Sequence, residues 1–265
     1  MKPAQFDYVR PDSLDEALSA LAENDDAKVL AGGQSLVPAL NMRLLRPSTL
    51  VDINRVPELD NVKRGSTGSL VVGARVRQSD SRLNAHLVLA AVLPHVGHTV
   101  TRNRGTVCGS IAHADTAAEL PLALLACDGA AVVASTRGRR EISADELFLG
   151  PYTTALARDE LLVESVWPEL REGDGFAFEE LAQRGGDYAL CMVAARVRGT
   201  ELRVVIGAVA PVPTVLTVDA DSPGESAAAQ VEPWGSIHGS SDYFRQLVRV
   251  LVDRTVGRAK EQAAA

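Results

Sequence analysis

Two short runs of small and hydroxyl-bearing residues are the places where this chain could do chemistry. The first is Ala31-Gly32-Gly33-Gln34-Ser35-Leu36, directly after the apolar run at 27–31. A glycine pair there permits positive φ and a close approach of backbone to a ligand. Successive backbone N–H groups in such a turn form an anion-binding nest, and Ser35 adds a hydroxyl. An ordinary tight turn accounts for the same residues, and neither GxGxxG nor a Walker A pattern occurs in the chain. The second run is Thr106-Val107-Cys108-Gly109-Ser110, preceded by Arg102 and Arg104. Its amides and hydroxyls could meet a pyrophosphate, with the two arginines supplying local positive charge. Asp115 and Glu119 follow at i, i+4 spacing, expected on one face of a helix that starts there. Carboxylates so placed suit the hydroxyls of a ribityl or ribose chain, while helix N-capping is the structural alternative for Asp115. His113 reads as a structural histidine. The two runs lie about 75 positions apart. Together they fit one long dinucleotide lying between two subdomains.

The elements that must position these runs are partly legible. Ser13-Leu14-Asp15-Glu16 is a capping box, and Leu14, Leu18 and Leu21 continue it as a helix to about residue 23. The segments 27–31 and 49–53 read as strands, with a short helix over 36–40 between them. After the polar turn at 63–68, residues 69–74 read as a strand and 80–95 as a helix with Leu83, Leu87, Ala90 and Ala91 on one face. The segment 101–115 reads as a loop, and 118–127 as a buried apolar helix. A hairpin is expected at 130–135 and 139–142, and another strand at 161–167. The Pro-, Gly- and charge-rich stretch 168–175 marks a boundary. Beyond it come strands at 189–197 and 202–209, a loose stretch at 211–230, and a helix from Ser241 to about Glu261. Phe244, Leu247, Val248, Leu251, Val252 and Thr255 share one face of that helix.

Composition bounds the function. The 265 residues are 46% apolar and 23% charged, enough for a real core and incompatible with disorder throughout. The balance of 27 Lys and Arg against 34 Asp and Glu gives a net charge of −7, opposite to what a nucleic-acid binder needs. No apolar run approaches a membrane span, and MKPAQFDYVRPDS contains no signal-peptide core, so a cytoplasmic location is expected. The three cysteines, Cys108, Cys127 and Cys191, are scattered. They offer no metal-site or iron–sulfur spacing.

The chain resembles the FAD-binding medium subunits of the molybdenum hydroxylases, the family of aerobic carbon monoxide, nicotine and xanthine dehydrogenases. The resemblance covers nearly the whole chain. It includes Phe6-Asp7-Tyr8-Val9-Arg10-Pro11, the run from Ala31 to Pro38, Leu50-Val51-Asp52-Ile53, Arg102 to Pro121, Arg184-Gly185-Gly186-Asp187-Tyr188-Ala189 and Tyr243 to Val252. It implies an α+β chain of the PCMH-type FAD-binding fold. Two α/β FAD-binding subdomains would occupy 1–56 and 57–172, and a C-terminal sheet-and-helix domain 173–265. It implies non-covalent FAD, with Ala31, Gly32, Gly33, Gln34, Ser35 and Leu36 and then Thr106, Val107, Cys108, Gly109 and Ser110 wrapping the pyrophosphate. Asp115 and Glu119 would lie near the ribityl chain, Leu162 against the isoalloxazine ring and Tyr188 near its face. Two departures stand out: Cys108 replaces a glycine found in many relatives, and Glu180 a lysine. The implied role is electron transfer from iron–sulfur clusters in a small partner subunit through FAD to an external acceptor. A large molybdopterin subunit would carry the substrate chemistry, in a dimer of heterotrimers. No catalytic base acting on the organic substrate and no metal site is expected in this chain. The alternatives are a self-sufficient FAD-dependent oxidase or reductase of a small molecule, for which the segment from Gly173 on is short, and a scaffold with a vestigial flavin site.

Overall fold

The computed structural model describes residues 1–65 and 67–265. The N-terminal region is β1 (Asp7–Val9), α1 (Leu14–Glu23), β2 (Ala27–Leu30), α2 (Leu36–Asn41) and β3 (Thr49–Asp52). Its strands form a parallel sheet in the order β1-β3-β2. Helix α1 starts where Ser13 Oγ accepts the Glu16 amide at 3.2 Å. The returning Glu16 carboxylate takes the Asp12 amide at 2.9 Å, one residue earlier than the ideal capping box. Strand β1 carries no sequence signal of its own. It is three residues long and largely exposed, and pairing with β3 creates it.

The middle region contains β4 (Val62–Arg64), β5 (Leu70–Gly73), α3 (Leu87–Val92), α4 (Thr99–Arg102), α5 (Val107–His113), α6 (Glu119–Ala126), β6 (Ala130–Ser135), β7 (Gly138–Ser143), α7 (Ala144–Leu147), β8 (Phe148–Gly150), β9 (Thr153–Thr154) and β10 (Leu161–Trp167). Five of these strands form an antiparallel sheet, β4-β5-β10-β6-β7. Lys63 and Arg64, expected in a turn, are in β4; Ser66 of that turn lies outside the described residues. The single helix expected over 80–95 is broken into a 3-10 turn (Ser81–Ala85), α3 and a second 3-10 turn (Leu93–His95). The extended backbone of His86 (φ −106°, ψ 119°) resets the helical phase. The buried set is therefore Leu83, Val88, Leu89 and Val92, and Leu87 faces solvent. Helix α6 is buried at every position; the apolar run from Leu120 on predicts this, and the burial of Glu119 at its start is not predicted by it.

The C-terminal region is β11 (Asp174–Ala182), β12 (Ala189–Arg198), β13 (Glu201–Gly207), β14 (Thr214–Leu216), α8 (Pro223–Gln230) and α9 (Ser241–Ala263). The four strands form an antiparallel meander. Strand β11 falls within and just beyond the stretch read as a boundary, and β14 and α8 within the stretch read as loose. The sheet is covered on both faces. Met192, Ala194 and Val205 join the core around α6. Cys191, Val193, Ala195, Val204 and Ile206 join Val248, Leu251, Val252 and Val256 of α9. Gly175 lies so close to the helix that a Cβ there would enter the Ala259 carbonyl. At the junction with the middle region, the buried Arg196 guanidinium pairs with Asp128 and with Glu201 at 2.7 Å. A buried arginine with two carboxylates pins the C-terminal sheet to the turn after α6.

Candidate dinucleotide site

The first loop leaves β2 at Leu30 and enters α2 at Leu36. Gly33 has φ +73°, a conformation that only glycine adopts at little cost. Among the described residues, the backbone amides of Gly32, Gly33, Gln34, Ser35 and Leu36 find no backbone acceptor. The Ser35 hydroxyl makes no capping bond. Five consecutive amides without a backbone acceptor, beside the Ser35 hydroxyl, are the donor set of an anion nest. Gly32 serves a different purpose. A Cβ there would meet the Arg104 carbonyl and lie 2.7 Å from Gly105 Cα, so Gly32 lets the two loops touch backbone to backbone.

The second run, expected as a loop over 101–115, is largely helical. Thr106 caps α5, its Oγ1 accepting the Gly109 amide at 3.0 Å. The Val107 amide donates to Val76 O and the Ser110 amide to Thr106 O, each at 3.2 Å. The Thr106 hydroxyl oxygen, as acceptor, and the amides of Val107, Gly109 and Ser110, as donors, are therefore engaged inside the fold. Among the described residues the Cys108 amide has no backbone acceptor. Cys108 sits in ordinary helical backbone, so the position does not require the freedom of a glycine. Its thiol points into the core and donates to Val72 O at 3.3 Å. Burial pushes that thiol up to about 12. Arg102 is also spent, donating to Val96 O and Gly97 O, both at 2.9 Å.

Three residues that motif reading passed over hold the loops together. Asn54 Nδ2 donates to Ala31 O at 2.8 Å, and the same side chain is fixed by Asp52, itself bonded by Tyr8. Arg77 donates one nitrogen to Asn54 Oδ1 at 2.5 Å and another to the Arg104 carbonyl. The Gln78 amide donates to Gly105 O at 2.9 Å. The clamp Tyr8–Asp52–Asn54–Arg77 thus runs from β1 to the second loop. A single arginine with no partner apparent in the sequence gives no signal of this.

The remaining expected residues fall in two groups. Asp115 does not share a helix face with Glu119, because α6 begins only at Glu119. Instead Asp115 closes a turn, its Oδ1 accepting the Ala117 amide at 3.0 Å and its Oδ2 the Tyr152 hydroxyl at 3.3 Å. Tyr188, on the connection between β11 and β12, is 61% exposed, and its phenol lies within electrostatic reach of Asp115, Tyr152 and Glu119 and near the Ser35 hydroxyl. Partial burial, then the charge of Asp115, raises that phenol's pKa. Burial likewise lowers the pKa of His113, whose ring packs 5.1 Å from that of Tyr152. Leu162 is only 3% exposed, on the central strand β10 beside a bulge, with its side chain in the core. Glu119 and Glu180 are both buried, Glu180 accepting from His95 Nδ1 at 3.2 Å. The site therefore unites the first loop, the Cys108 amide, Asp115 and Tyr188. Free amides beside a positive-φ glycine fit a pyrophosphate, and the Asp115–Tyr188 side fits a polyol chain and ring.

The family model for the FAD binding domain in molybdopterin dehydrogenase matches residues 4–170. The chain is 38% identical to the 6-hydroxypseudooxynicotine dehydrogenase complex subunit alpha of Paenarthrobacter nicotinovorans, over 99% of this chain and 97% of that one. It is 33% identical to the carbon monoxide dehydrogenase medium chain of Hydrogenophaga pseudoflava, over the full length of both. Among solved structures, quinoline 2-oxidoreductase from Pseudomonas putida 86 superposes with a TM-score of 0.92 at 35% identity, covering 100% of both chains.

Proposed function

We propose, from the premise that this chain belongs to the FAD-binding medium subunits of the molybdenum hydroxylases, that it holds FAD non-covalently across its two loops and carries electrons from a partner's iron–sulfur clusters to an external acceptor. The observation that supports this most is the set of five free amides from Gly32 to Leu36, held against the second loop. In this assignment those amides, the Ser35 hydroxyl and the Cys108 amide bind the pyrophosphate. Asp115 accepts from the ribityl hydroxyls, and Tyr188 lies at the ring. Leu162 would shape the ring pocket from within the core wall. Bound FAD supplies the ability to accept electrons singly and release them in pairs. The protein binds, orients and electrically tunes it.

The electron donor is assigned to another chain. Cys108, Cys127 and Cys191 are all buried on separate elements, and burial pushes each thiol up to about 12. Protonated, separated thiols do not form a four-thiolate cluster site. We place iron–sulfur clusters in a small subunit and molybdopterin in a large one, assembled as a dimer of heterotrimers in the cytoplasm. Among the described residues, no helix is long and apolar enough to cross a membrane. We assign 1–56 and 57–172 as the two FAD-binding subdomains and 173–265 as the domain that meets the iron–sulfur subunit.

The test is loading and reduction. The purified chain should carry FAD in a one-to-one ratio, and Gly33→Val, which imposes positive φ on a β-branched residue, should lose it while remaining folded by circular dichroism. Substrate of the holoenzyme should bleach the flavin only when both partners are present. Full bleaching in the isolated chain would establish a self-sufficient flavoenzyme instead.

A further inference from the structure

We propose that the cleft between the N-terminal segment and the turn after α2 docks an acidic segment of a partner subunit, an inference that rests on the reading above that this chain works inside a complex. Lys2, Gln5 and Phe6 line one side of the cleft, and Arg43 and Arg46 the other. Among the described residues, no aspartate or glutamate lines it. Lys2, Arg43 and Arg46 are all exposed, and among the described residues none of them pairs with a carboxylate. A chain of net charge −7 thus keeps three unpaired cations together at one place.

The turn holds these charges in place. The Leu44 amide donates to Ala39 O at 2.9 Å and the Arg43 amide to Leu40 O at 3.0 Å, the Schellman arrangement that ends a helix. Its left-handed position is usually glycine, and here it is Arg43, with φ +58°. Arg43 Nε donates to Lys2 O at 3.1 Å, which ties the two sides of the cleft together. The two terminal nitrogens of that guanidinium have no partner among the described residues. A fork so presented can take a carboxylate through two parallel N–H···O bonds.

Size, composition and charge select the occupant. The cleft is open to solvent and, at about 700 Å³, is far larger than an inorganic anion. Met42, Leu44 and Leu45 stand in the same turn as the arginines, 50%, 71% and 37% exposed. Arginine and methionine among apolar side chains are typical of protein interfaces, whereas a free anion would leave those apolar groups in water. The net negative charge of the chain repels an acidic partner at long range, so a local patch of unpaired positive charge steers such a partner to one place and fixes its register. The cleft lies at the C-terminal end of α2, while the amide nest precedes its N-terminal end. Docking and flavin binding therefore use different residues.

The test uses the complex assembled from this full-length chain and the two partner subunits assigned above. A carbodiimide, which joins an ammonium to a carboxylate in contact with it, should link Lys2 Nζ to an aspartate or glutamate of a partner subunit, read by mass spectrometry. Arg43→Glu combined with Arg46→Glu should weaken assembly at low salt by about tenfold or more, and the corresponding glutamine pair by less. The gap between the reversed pair and the wild type should shrink in about 1 M salt, where charges are screened beyond about 3 Å. Flavin content and melting temperature should stay at wild-type values, and if the reversed pair does not fold, Lys2→Glu reads the same cleft from its other side. Wild-type assembly in the reversed variant, or a Lys2 crosslink found only to a second copy of this chain or not at all, overturns the docking proposal alone. Binding of inorganic phosphate that Arg43→Glu abolishes, with assembly unmoved, assigns the cleft to a free anion and overturns it as well. A wild-type chain that assembles with neither partner overturns the multi-subunit reading, and the docking site with it.

Discussion

The two loops of the site solve the same problem in opposite ways. The first is irregular backbone whose amides find no backbone acceptor among the described residues. The second is the start of a helix that consumes most of its own donors, with Thr106 capping Gly109 and Val107 tied to Val76. One loop offers donors, and the other offers a rigid wall. Their glycines differ accordingly. Gly33 is required by its own φ, Gly32 by the neighbouring backbone, and Gly109 by the space that the Thr106 hydroxyl needs. Similar composition in two loops therefore does not imply similar work.

If the wall orients the donors, severing the two loops should have the largest effect. Gly32→Val would drive a branched side chain into the Arg104 carbonyl and Gly105 Cα. Backbone on both sides cannot yield as a side-chain tip can. The expected cost is roughly 3 kcal/mol or more, with complete loss of flavin. Urea unfolding together with the flavin-to-protein absorbance ratio checks both. A stable Gly32→Val protein with full flavin would mean that the loops need not touch.

Arg77→Ala should come next. It removes two hydrogen bonds from a charged donor, one to Asn54 and one to the Arg104 carbonyl, at about 3 kcal/mol in total. Because Asn54 keeps its bond to Ala31, the first loop should hold its shape while its register against the second loosens. FAD affinity measured by fluorescence quenching should fall, and Arg77→Lys should not restore it, since one ammonium cannot match the planar fork.

This clamp also marks where the sequence stopped being legible. Local rules sufficed for the Ser13 cap, the apolar run of α6 from Leu120 on, the 130–142 hairpin and the amphipathic α9, because each is specified by neighbours a few residues away. The glycine pair at 32–33 and Tyr188 were visible as candidates, the first from residue type and the second from family likeness. The roles of Asn54 and Arg77 depend on pairing across 23 positions, for which a single sequence carries no signal. Strands β1, β11 and β14 were missed for a related reason. Their pairing partners, more than their own patterns, make them strands. The phase error over 80–95 is different again: one extended residue, His86, invalidated a helical projection that was otherwise sound.

A smaller perturbation sharpens the contrast from the side of the wall. In Gly109→Ala the new Cβ would lie 2.6 Å from Thr106 Oγ1, the far end of a side chain that can rotate. The cost is loss of the helix cap, about 1 kcal/mol. Thermal unfolding should register that drop, while flavin content should stay near wild type because the first loop is untouched. Emptying of the site by this change alone would show that the second loop supplies donors on the same footing as the first.

The smallest effect is expected at Cys108, where the two ideas about the second loop diverge most clearly. If the residue works through its side chain, altering the sulfur should matter. If it works through its amide, it should not. The thiol is buried against Val72 O and Ser165 Oγ and held protonated by burial, so it cannot act as a thiolate toward a ligand. Cys108→Ser preserves size, and its hydroxyl can reach the same two oxygens, so stability should change by about 1 kcal/mol or less and flavin should be retained. Cys108→Gly keeps the amide but opens a small cavity and adds a helical glycine, costing about 1–2 kcal/mol, again with flavin retained. Both variants also leave helical φ in place, so the amide stays where it was. Parallel thermal melts and flavin ratios for the pair decide between the two ideas. Loss of flavin in the serine variant, with its melting temperature unchanged, would assign the sulfur a direct role and make the second loop a chemical partner in place of a wall.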